Sequence, residues 1–451
     1  QALPDFADQA SFQILSGHTD IVAIAPNSGL LHVIDGSLLD VQALQQVVLA
    51  VAVSVAGYPA TTIEVHIEII DHRSCTYIDG QALTNGNGTR ASPHNSEYEL
   101  AAQDYRVYLF RRGSTYQTSG ISIHGVSGVV LASYGTGASP RIEVQAGQRA
   151  AVSIGHGSTH CVVRDLELTT VSEAEPQQYA QLGVHFSTWA GGAASVTISG
   201  CEIHHFADAG ISVWPDNTDH RFSWNHIHHI NRHGAYLEGC RATEIAYNHI
   251  EQTNGNWHHV GHASTDSDGN GIYIRYSDEL VFHHNRIDRS ETGNGAALYA
   301  YATESSHITI THNHISGPLR GGDSTASLGI HFNSAPLAGF IAGNLIHHTE
   351  NGIYGEGSSF VVAYNVFADT SRTAFAATAH GYANIAHNVF YDTRIGVQTA
   401  FSETQVHNNI FDLTQRGDVA YEDELSADFN LYRIEQPGMF GAGNDALTSV
   451  Q

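Results

Sequence analysis

Aromatic, charged and amide side chains recur at the same two places in a series of short apolar segments. Each segment alternates apolar with other residues, as in GIYIR at residues 271–275. Because side chains of a strand point alternately to its two faces, the residues between the apolar ones are predicted to face solvent. Side by side, the segments would present two outward rows. The first row is Ser212, Tyr236, Tyr273, Tyr299, His331 and Tyr354, and the second is Trp214, Glu238, Arg275, Tyr301, Asn333 and Glu356.

These residue types suit an extended saccharide. Aromatic rings stack on the faces of sugars, while charged and amide groups hold hydroxyls or carboxylates. The alternative is cross-strand aromatic stacking that only stabilises the sheet. We favour the sugar-binding interpretation. The predicted substrate-binding residues are Trp214, Tyr236, Tyr301, Asn333, Tyr354 and Glu356.

The first reaction that the rows could support is β-elimination at a uronic acid. It needs a cation beside the carboxylate, a base for the proton next to it and an acid for the leaving oxygen. Arg275 is the basic residue of the two rows and is predicted to neutralise the carboxylate. Either Tyr273, Tyr299 or His331 would serve as base or acid. A lysine base is excluded, since the chain contains no lysine.

The second reaction is glycoside hydrolysis, which needs two carboxyl groups about 5 Å or about 6.5–9.5 Å apart. Glu238 and Glu356 are predicted to lie four coils apart, about 19 Å at the usual strand spacing, and cannot act as a pair. Glu238 would instead need Asp266 or Asp268 from a neighbouring loop. The sequence leaves both reactions open, and we favour elimination.

The loop before GIYIR also contains candidate metal ligands. DSDGNG resembles a calcium-binding turn in which Asp266, Asp268 and Asn270 supply oxygens, although hydrophilic turns of this composition are common without calcium. Calcium is therefore the cofactor that the sequence suggests. His258, His259 and His262 form a second candidate cluster, for a transition metal.

A repeated asparagine indicates which scaffold positions these residues. The pattern of FSWNHI, IAYNHI and VVAYNVF returns along the second half of the chain, with Cys201 at the equivalent place in VTISGCEI. A period of about 20–30 residues with β-type alternation predicts a solenoid whose coils bury their apolar faces against each other. We expect the asparagines to form a hydrogen-bonded ladder, with the flanking histidines at the surface or stacked. The repeated positions are Asn225, Asn248, Asn285, Asn313, Asn344, Asn365, Asn388 and Asn409.

Residues 1–73 differ from the rest. The order of FQILSG, SGLLHVIDGSLLD and TTIEVHIEIID resembles a cadherin-like repeat, which implies a β-sandwich segment that acts as a spacer or docking element. The calcium-binding linker of that family is not recognisable after Asp71, so no calcium ligands are assigned to this segment.

From residue 74 to 451 the chain resembles the right-handed parallel β-helix superfamily of pectate-lyase-like, carbohydrate-active proteins. RRGSTY and SYGTGASPRI are similar to the first coils of bacterial members, and we take 121–144 as the first coil and 428–443 as the closing coil and cap. The resemblance implies an all-β fold and a secreted or cell-surface bacterial polysaccharide lyase. An endo-glycoside hydrolase and a non-catalytic polysaccharide-binding adhesin are the alternatives.

The composition argues against two classes of binding partner, nucleic acids and membranes. The formal net charge is −26 and all 19 basic residues are arginines, so sequence-unspecific binding to nucleic acid is not expected. The longest apolar run, residues 47–57, is too short to cross a bilayer, so no membrane insertion is expected. Four cysteines without CxxC spacing leave disulfides and buried thiols both open. We expect a monomer that binds a polysaccharide and is part of a longer, multi-module protein.

Overall fold

The computed structural model describes most of the chain as β-strands joined by turns. It describes residues 10–17, 19–24, 31–33, 46–55, 60–68, 75–155, 157–170, 180–188, 191–253, 269–288, 296–301, 307–317, 328–333, 338–356, 359–378, 382–399, 403–413, 419–421, 425–428 and 430–434. The chain divides into two compact units, residues 1–75 and 76–451. In the described part of the chain, no helix is long and apolar enough to span a membrane.

The first unit contains two small antiparallel sheets. Its strands are β1 (Ala10–Gly17), β2 (Val22–Ile24), β3 (Leu31–Val33), β4 (Gln46–Val55) and β5 (Thr61–Glu68). Strand β4 lies between β1 and β5, and β2 pairs with β3. Alternate residues of β4, among them Val47, Leu49 and Val51, are buried with Ile21 and Val22. The cadherin-like assignment of this unit stays a prediction.

The second unit is a solenoid of short parallel strands. Its first half contains β6 (Cys75–Ile78), β7 (Val107–Arg111), β8 (Thr115–Thr118), β9 (Ile121–His124), β10 (Val130–Tyr134), β11 (Arg141–Val144), β12 (Ala150–Gly155), β13 (Val162–Arg164), β14 (Glu167–Thr170), β15 (Leu182–Phe186), β16 (Thr197–Ser199), β17 (Glu202–Phe206), β18 (Ala209–Val213), β19 (Arg221–Ser223), β20 (His226–Ile230), β21 (His233–Glu238), β22 (Glu244–Ala246), β23 (His249–Glu251) and β24 (Ile272–Arg275).

The same three-strand coil continues to the end of the described chain. Its second half contains β25 (Leu280–His283), β26 (Arg286–Asp288), β27 (Ala296–Tyr301), β28 (His307–Thr311), β29 (His314–Ser316), β30 (Leu328–Asn333), β31 (Ala338–Ala342), β32 (Leu345–His347), β33 (Asn351–Glu356), β34 (Ser359–Ala363), β35 (Val366–Ala368), β36 (Thr373–Thr378), β37 (Tyr382–Ala386), β38 (Val389–Tyr391), β39 (Ile395–Thr399), β40 (Glu403–His407), β41 (Ile410–Leu413), β42 (Val419–Tyr421), β43 (Leu425–Asp428) and β44 (Leu431–Ile434).

Every third strand joins the same sheet, which gives three long parallel sheets. The first sheet runs from β6 through β7 to β43 with 14 strands, the second from β8 to β44 with 13, and the third from β9 to β42 with 12. The predicted parallel β-helix is therefore confirmed. The predicted start is wrong by one coil, because β7, β8 and β9 already pair in register with the strands of the following coil.

The core is a set of apolar stacks inside the coils. Phe367, Phe390 and Phe411 stack with ring centroids 5.1 and 4.6 Å apart and are almost completely buried. The residues predicted to face inward from the third sheet are buried as well. They are Ile211, Val213, Ala235, Leu237, Ile272, Ile274, Leu298, Ala300, Ile330 and Phe332. The sequence left open whether the cysteines form disulfides; Cys161, Cys201 and Cys240 are buried free thiols.

The asparagine ladder is present and is longer than predicted. The side chain of Asn365 shows the repeating contacts: its Oδ1 accepts the backbone N–H and the amide Nδ2–H of Asn344, both at 2.9 Å. Its Nδ2 donates to the carbonyls of Ile341 and Ala363 and to the Oδ1 of Asn388. Cys201 donates its N–H to Asn225, as its equivalent position predicted. The ladder extends to Asn430, which accepts from Asn409.

Breaking one rung should destabilise the solenoid strongly. Asn365→Ala leaves the buried N–H and the side-chain amide of Asn344 without this acceptor and removes the donor to the Ile341 carbonyl, so we expect a loss of about 3 kcal/mol or more in the free energy of unfolding. Urea denaturation followed by circular dichroism measures this loss.

Asn87→Ala is the matched control for the ladder variant. Asn87 is an exposed asparagine outside the ladder, and its Oδ1 accepts from the hydroxyl of Thr89, which is exposed as well. Because no buried group loses a partner, this substitution should change stability by less than about 1 kcal/mol. Equal midpoints for the two variants would contradict the structural role of the ladder.

Candidate functional site

The candidate site lies on the outer face of the third sheet. Tyr236 pairs in register with Tyr273, Tyr273 with Tyr299, Tyr299 with His331, and His331 with Tyr354. We call these five residues the aromatic row. Two residues further along the same strands, the polar row contains Glu238, Arg275, Tyr301, Asn333 and Glu356, with Trp214 directly after β18.

The side chains of both rows point away from the core, as predicted. Strand β24 alternates buried and partly exposed residues, and β21, β27, β30 and β33 end in the same alternation. Ser212 departs from the prediction, because it is only 2 % exposed. It lies in register between the larger side chains His185 and Tyr236, which explains its burial.

Close approach between coils explains the glycine that begins these strands. A Cβ on Gly234 would lie 2.6 Å from the carbonyl oxygen of Gly271, and a Cβ on Gly271 would lie 2.5 Å from that of Ala297. Real Cβ atoms do not approach a backbone oxygen so closely, so a side chain at Gly234 or Gly271 would force the neighbouring coils to shift. The equivalent residue in β27 is Ala297, so glycine is required in some coils and not in all.

The rings of the aromatic row form a continuous stack. Tyr236 and Tyr273 are nearly parallel with centroids 5.2 Å apart, and Tyr273 and Tyr299 are 5.3 Å apart. His331 lies edge-on between Tyr299, at 4.8 Å, and Tyr354, at 5.2 Å. The cross-strand stacking that the sequence left as an alternative is therefore present. It accounts for the alignment of the rings and leaves their outer edges to a ligand.

Arg275 lies among aromatic rings in the middle of the polar row. Its guanidinium carbon is 4.7 Å from the ring centroid of Tyr276 and 5.8 Å from that of Tyr301. Its Nη2 donates to the Tyr276 hydroxyl at 3.2 Å, while its buried Nε has no hydrogen-bond partner. A guanidinium with an unused buried donor is suited to binding a planar anionic group.

Glu238 is held by its two neighbours in the site. The hydroxyl of Tyr236 donates to its Oε2 at 2.8 Å, and Nη1 of Arg275 lies 3.7 Å from its Oε1. Burial raises the pKa of Tyr236 above its usual range, and the hydrogen bond to Glu238 raises it further. The phenol therefore remains protonated at neutral pH and anchors the carboxylate.

Tyr299 and His331 form a second pair, one and two strands from Arg275. The amide of Asn333 donates to the Tyr299 hydroxyl at 3.0 Å. Burial lowers the pKa of His331 to about 4, so its imidazole is neutral at physiological pH. Its Nε2 is buried and has no hydrogen-bond partner. At neutral pH this pair offers one neutral imidazole and one hydroxyl beside a fixed cation.

Tyr273 lies within the field of two arginines. Burial raises the pKa of Tyr273 to about 12, while Arg275 and Arg232 act in the opposite direction. Arg232, directly before β21, was not selected from the sequence. The sequence feature that could have indicated Arg232 is its position directly before His233. In the structure the ring of His233 lies 5.0 Å from that of Tyr273.

The rows continue past the residues selected from the sequence. The ring of Trp214 is 39 % exposed and packs edge-on against His185, with the guanidinium of Arg149 5.1 Å from its centroid. His185 and Arg149 were not selected from the sequence. The alternation of GVHF at 183–186 matches that of GISV at 210–213 and could have indicated His185. At the opposite end, the hydroxyls of Tyr354 and Thr378 are 3.4 Å apart, and Glu356 is in register with Thr378.

Only Asn270 of the predicted calcium turn lies in the described part of the chain. It is 1 % exposed, and its Oδ1 accepts the N–H of Ala296 at 2.7 Å. Asp266 and Asp268 lie outside the described residues, as do His258, His259 and His262. Calcium binding at this turn stays a prediction.

The chain belongs to the right handed beta helix family, whose model matches residues 119–315 and 265–411. None of the curated proteins matches the sequence. Similar solved structures include a lacto-N-biosidase of Eubacterium ramulus, with 14 % identity over 80 % of this chain and 68 % of that one and a TM-score of 0.48. The pectate lyase Pel9A has 12 % identity over 74 % of this chain and 78 % of its own, with a TM-score of 0.43.

A third similar structure is the tailspike protein of the E. coli bacteriophage HK620 in complex with a pentasaccharide. It has 10 % identity over 73 % of this chain and 65 % of its own, with a TM-score of 0.49.

The buried neutral state of His331 predicts that acid destabilises the fold through this residue. The pKa of His331 is about 4 in the folded chain and about 6.5 when unfolded, so the unfolded chain binds more protons between these values. Its contribution to stability is therefore present above pH 6.5 and is lost as pH falls to 4. We expect wild type to lose about 3 kcal/mol more than His331→Gln between pH 7 and pH 4 in urea titrations.

His307→Gln is the control for this titration, because the His307 side chain is 76 % exposed. It should follow the wild-type pH dependence. A His331→Gln curve parallel to that of wild type would show that the imidazole titrates normally in the folded protein.

Proposed function

We propose that the second unit is a polysaccharide lyase that cleaves a uronate-containing chain by β-elimination on the outer face of the third sheet. The observation that carries the proposal is Arg275, a cation with an unused buried Nε, with Tyr299 on the next strand and His331 on the strand after it. An arginine can hold a carboxylate through two parallel hydrogen bonds and stabilise the charge that develops on it during proton removal.

The sheet supports binding of an extended polymer. Strands lie about 4.8 Å apart, so the five strands from β21 to β33 offer a track of about 19 Å, long enough for several sugar units. The outer edges of the tyrosine rings along this track supply apolar contact, and Glu238, Asn333 and Glu356 supply hydrogen-bonding groups for hydroxyls. Arg149, Arg232 and Arg275 give the track local positive charge in a chain whose net charge is −26.

Proton transfer is assigned from the protonation states at neutral pH. His331 is a neutral imidazole and takes the proton from the carbon next to the carboxylate. The electrons of that C–H bond form the double bond, and the bond from the neighbouring carbon to the glycosidic oxygen breaks. The Tyr299 phenol donates its proton to the leaving oxygen. Its own oxygen accepts from Asn333, which directs the hydroxyl proton away from that amide.

The first test is product formation on a panel of uronate polymers. Elimination leaves a conjugated double bond, so we expect absorbance near 235 nm to rise together with new reducing ends. Reducing ends without this absorbance would overturn the lyase assignment and favour hydrolysis. Retention on the polymer without any product would instead favour a binding protein.

The second test separates charge from general effects of mutation. Arg275→Gln should lower kcat/KM by about 100-fold or more, because the developing negative charge loses its partner. Arg221→Gln removes an arginine on the first sheet that pairs with Glu244, and should leave activity unchanged. An equal loss in both variants would contradict a specific role for Arg275.

The third test addresses the proton-transfer pair. His331→Gln and Tyr299→Phe should each lower kcat by about 100-fold or more while the polymer is still bound. In wild type the rate should be nearly constant above pH 5 and fall as pH drops through about 4, where His331 becomes protonated. A wild-type rate that already falls around pH 6.5, or a His331→Gln variant with full kcat, would exclude His331 as the base.

Hydrolysis is the second candidate, because Glu238 is a carboxylate positioned by Tyr236 and Arg275. Among the described residues of the two rows, the other carboxylate is Glu356, four strands away and too distant to act with it. This candidate therefore requires Asp266 or Asp268. Glu238→Gln should abolish hydrolysis if it is correct, whereas the lyase assignment predicts that the double-bond product persists.

A further inference from the structure

Histidines and glutamates share the outer face of the second sheet, away from the third-sheet site. Strands β17, β20 and β23 pair so that Glu202, His226 and His249 are in register. These histidines were expected at the surface or stacked, and they do stack: the rings of His226 and His249 are 4.9 Å apart and nearly parallel. Stacking does not explain the direction in which the Nε2 atoms of these two rings point.

The Nε2 atoms of His226 and His249 both face the carboxylate of Glu251. The Nε2 of His226 lies 2.8 Å from Oε1 of Glu251, and the Nε2 of His249 lies 3.7 Å from its Oε2. The ligand atoms of the three residues all lie within 4.8 Å of one another. Two nitrogens bound to a tetrahedral zinc ion at about 2.05 Å are about 3.3 Å apart, so small side-chain rotations would complete the coordination.

The chemistry of the three residues suits a divalent transition-metal ion. Neutral imidazole and carboxylate are ligands for zinc and its neighbours. Burial would raise the pKa of Glu251, but the hydrogen bond with His226 and the neighbouring imidazoles hold it below the usual value. The carboxylate is therefore ionised. The three side chains are 41, 34 and 31 % exposed, which leaves an entry path and room for water as a further ligand.

A second carboxylate contacts the same nitrogen of His249. Its Nε2 also lies 3.1 Å from Asp288, whose carboxylate is already bound by Arg286 and by the Ser316 hydroxyl at 2.6 Å. The Nε2 must give up this contact when it binds the ion, and the Arg286 and Ser316 contacts still hold the Asp288 carboxylate in place.

A second triad, formed by Glu202, His226 and His228, shares His226 with the first. Glu202 is exposed, and the Nδ1 of His228 is 2.6 Å from that of His229, so the second triad is less well prepared for an ion. The two triads can be distinguished because His249 belongs only to the first and His228 only to the second.

We propose that His226, His249 and Glu251 bind one divalent transition-metal ion of the zinc class on the second sheet. The site is separate from Arg275 and the aromatic row, so the proposal stands or fails independently of the polysaccharide lyase assignment.

The test is titration of the metal-free full chain with Co²⁺, followed by visible absorbance, and with Zn²⁺, followed by calorimetry. We expect one ion per chain. His249→Asn and Glu251→Gln should each weaken binding at least about 10-fold, while His228→Asn should leave it unchanged. Circular dichroism of each variant checks that the fold is retained.

His259→Asn is a further control, because His258, His259 and His262 form the other candidate cluster. It should bind Co²⁺ as wild type does. The proposal is overturned if neither ion binds at about 100 μM, if binding survives His249→Asn and Glu251→Gln, or if His228→Asn or His259→Asn is the variant that loses it.

Discussion

The asparagine ladder is the interaction on which the rest of the structure depends. Each buried carboxamide joins its own coil to the next through both the backbone and the neighbouring asparagine, as Asn248 does with Asn285. Steps between rungs vary from 21 to 37 residues, yet the strands on either side of the turn stay in register. Extra residues are therefore accommodated in connections between strands, and the sheets remain regular.

In-register stacking converts sequence repetition into continuous surfaces. Identical positions of successive coils lie about 4.8 Å apart, so phenylalanines stack inside, tyrosines on the third sheet and histidines on the second. The residue before each rung from Asn225 to Asn409 has a left-handed backbone, for example Tyr247 with φ of 56° and His284 with φ of 53°, and their rings stack 4.8 Å apart. The scaffold thus aligns whatever side chains the coils supply, and chemistry depends on which types meet.

The repeat and the alternation were sufficient to predict the solenoid, the inward residues and both outward rows. They were not sufficient for contacts between coils of unequal length. Glu251 and His226 are 25 residues apart and meet only because the ladder fixes the coil register, so the metal-ligand triad was not recognised. Ser212 was placed in solvent because alternation gives the direction of a side chain and says nothing about the size of its neighbours. Asn430 lies in the segment taken as the closing coil and cap, and it was not recognised as a further rung of the ladder.

The loose ion pair of Arg275 and Glu238 explains why two reaction classes fit the same surface. Their closest atoms are 3.7 Å apart and their side chains are 36 and 24 % exposed, so the pair is loose and contributes little to stability. A substrate carboxylate can offer Arg275 two short hydrogen bonds that Glu238 does not make. An acidic sugar would therefore displace Glu238 and use the cation, whereas a neutral sugar would leave the pair intact and meet the carboxylate. Under the proposed function, the charge of the polymer would thus select which member of the pair acts, and the aromatic row would contact either substrate.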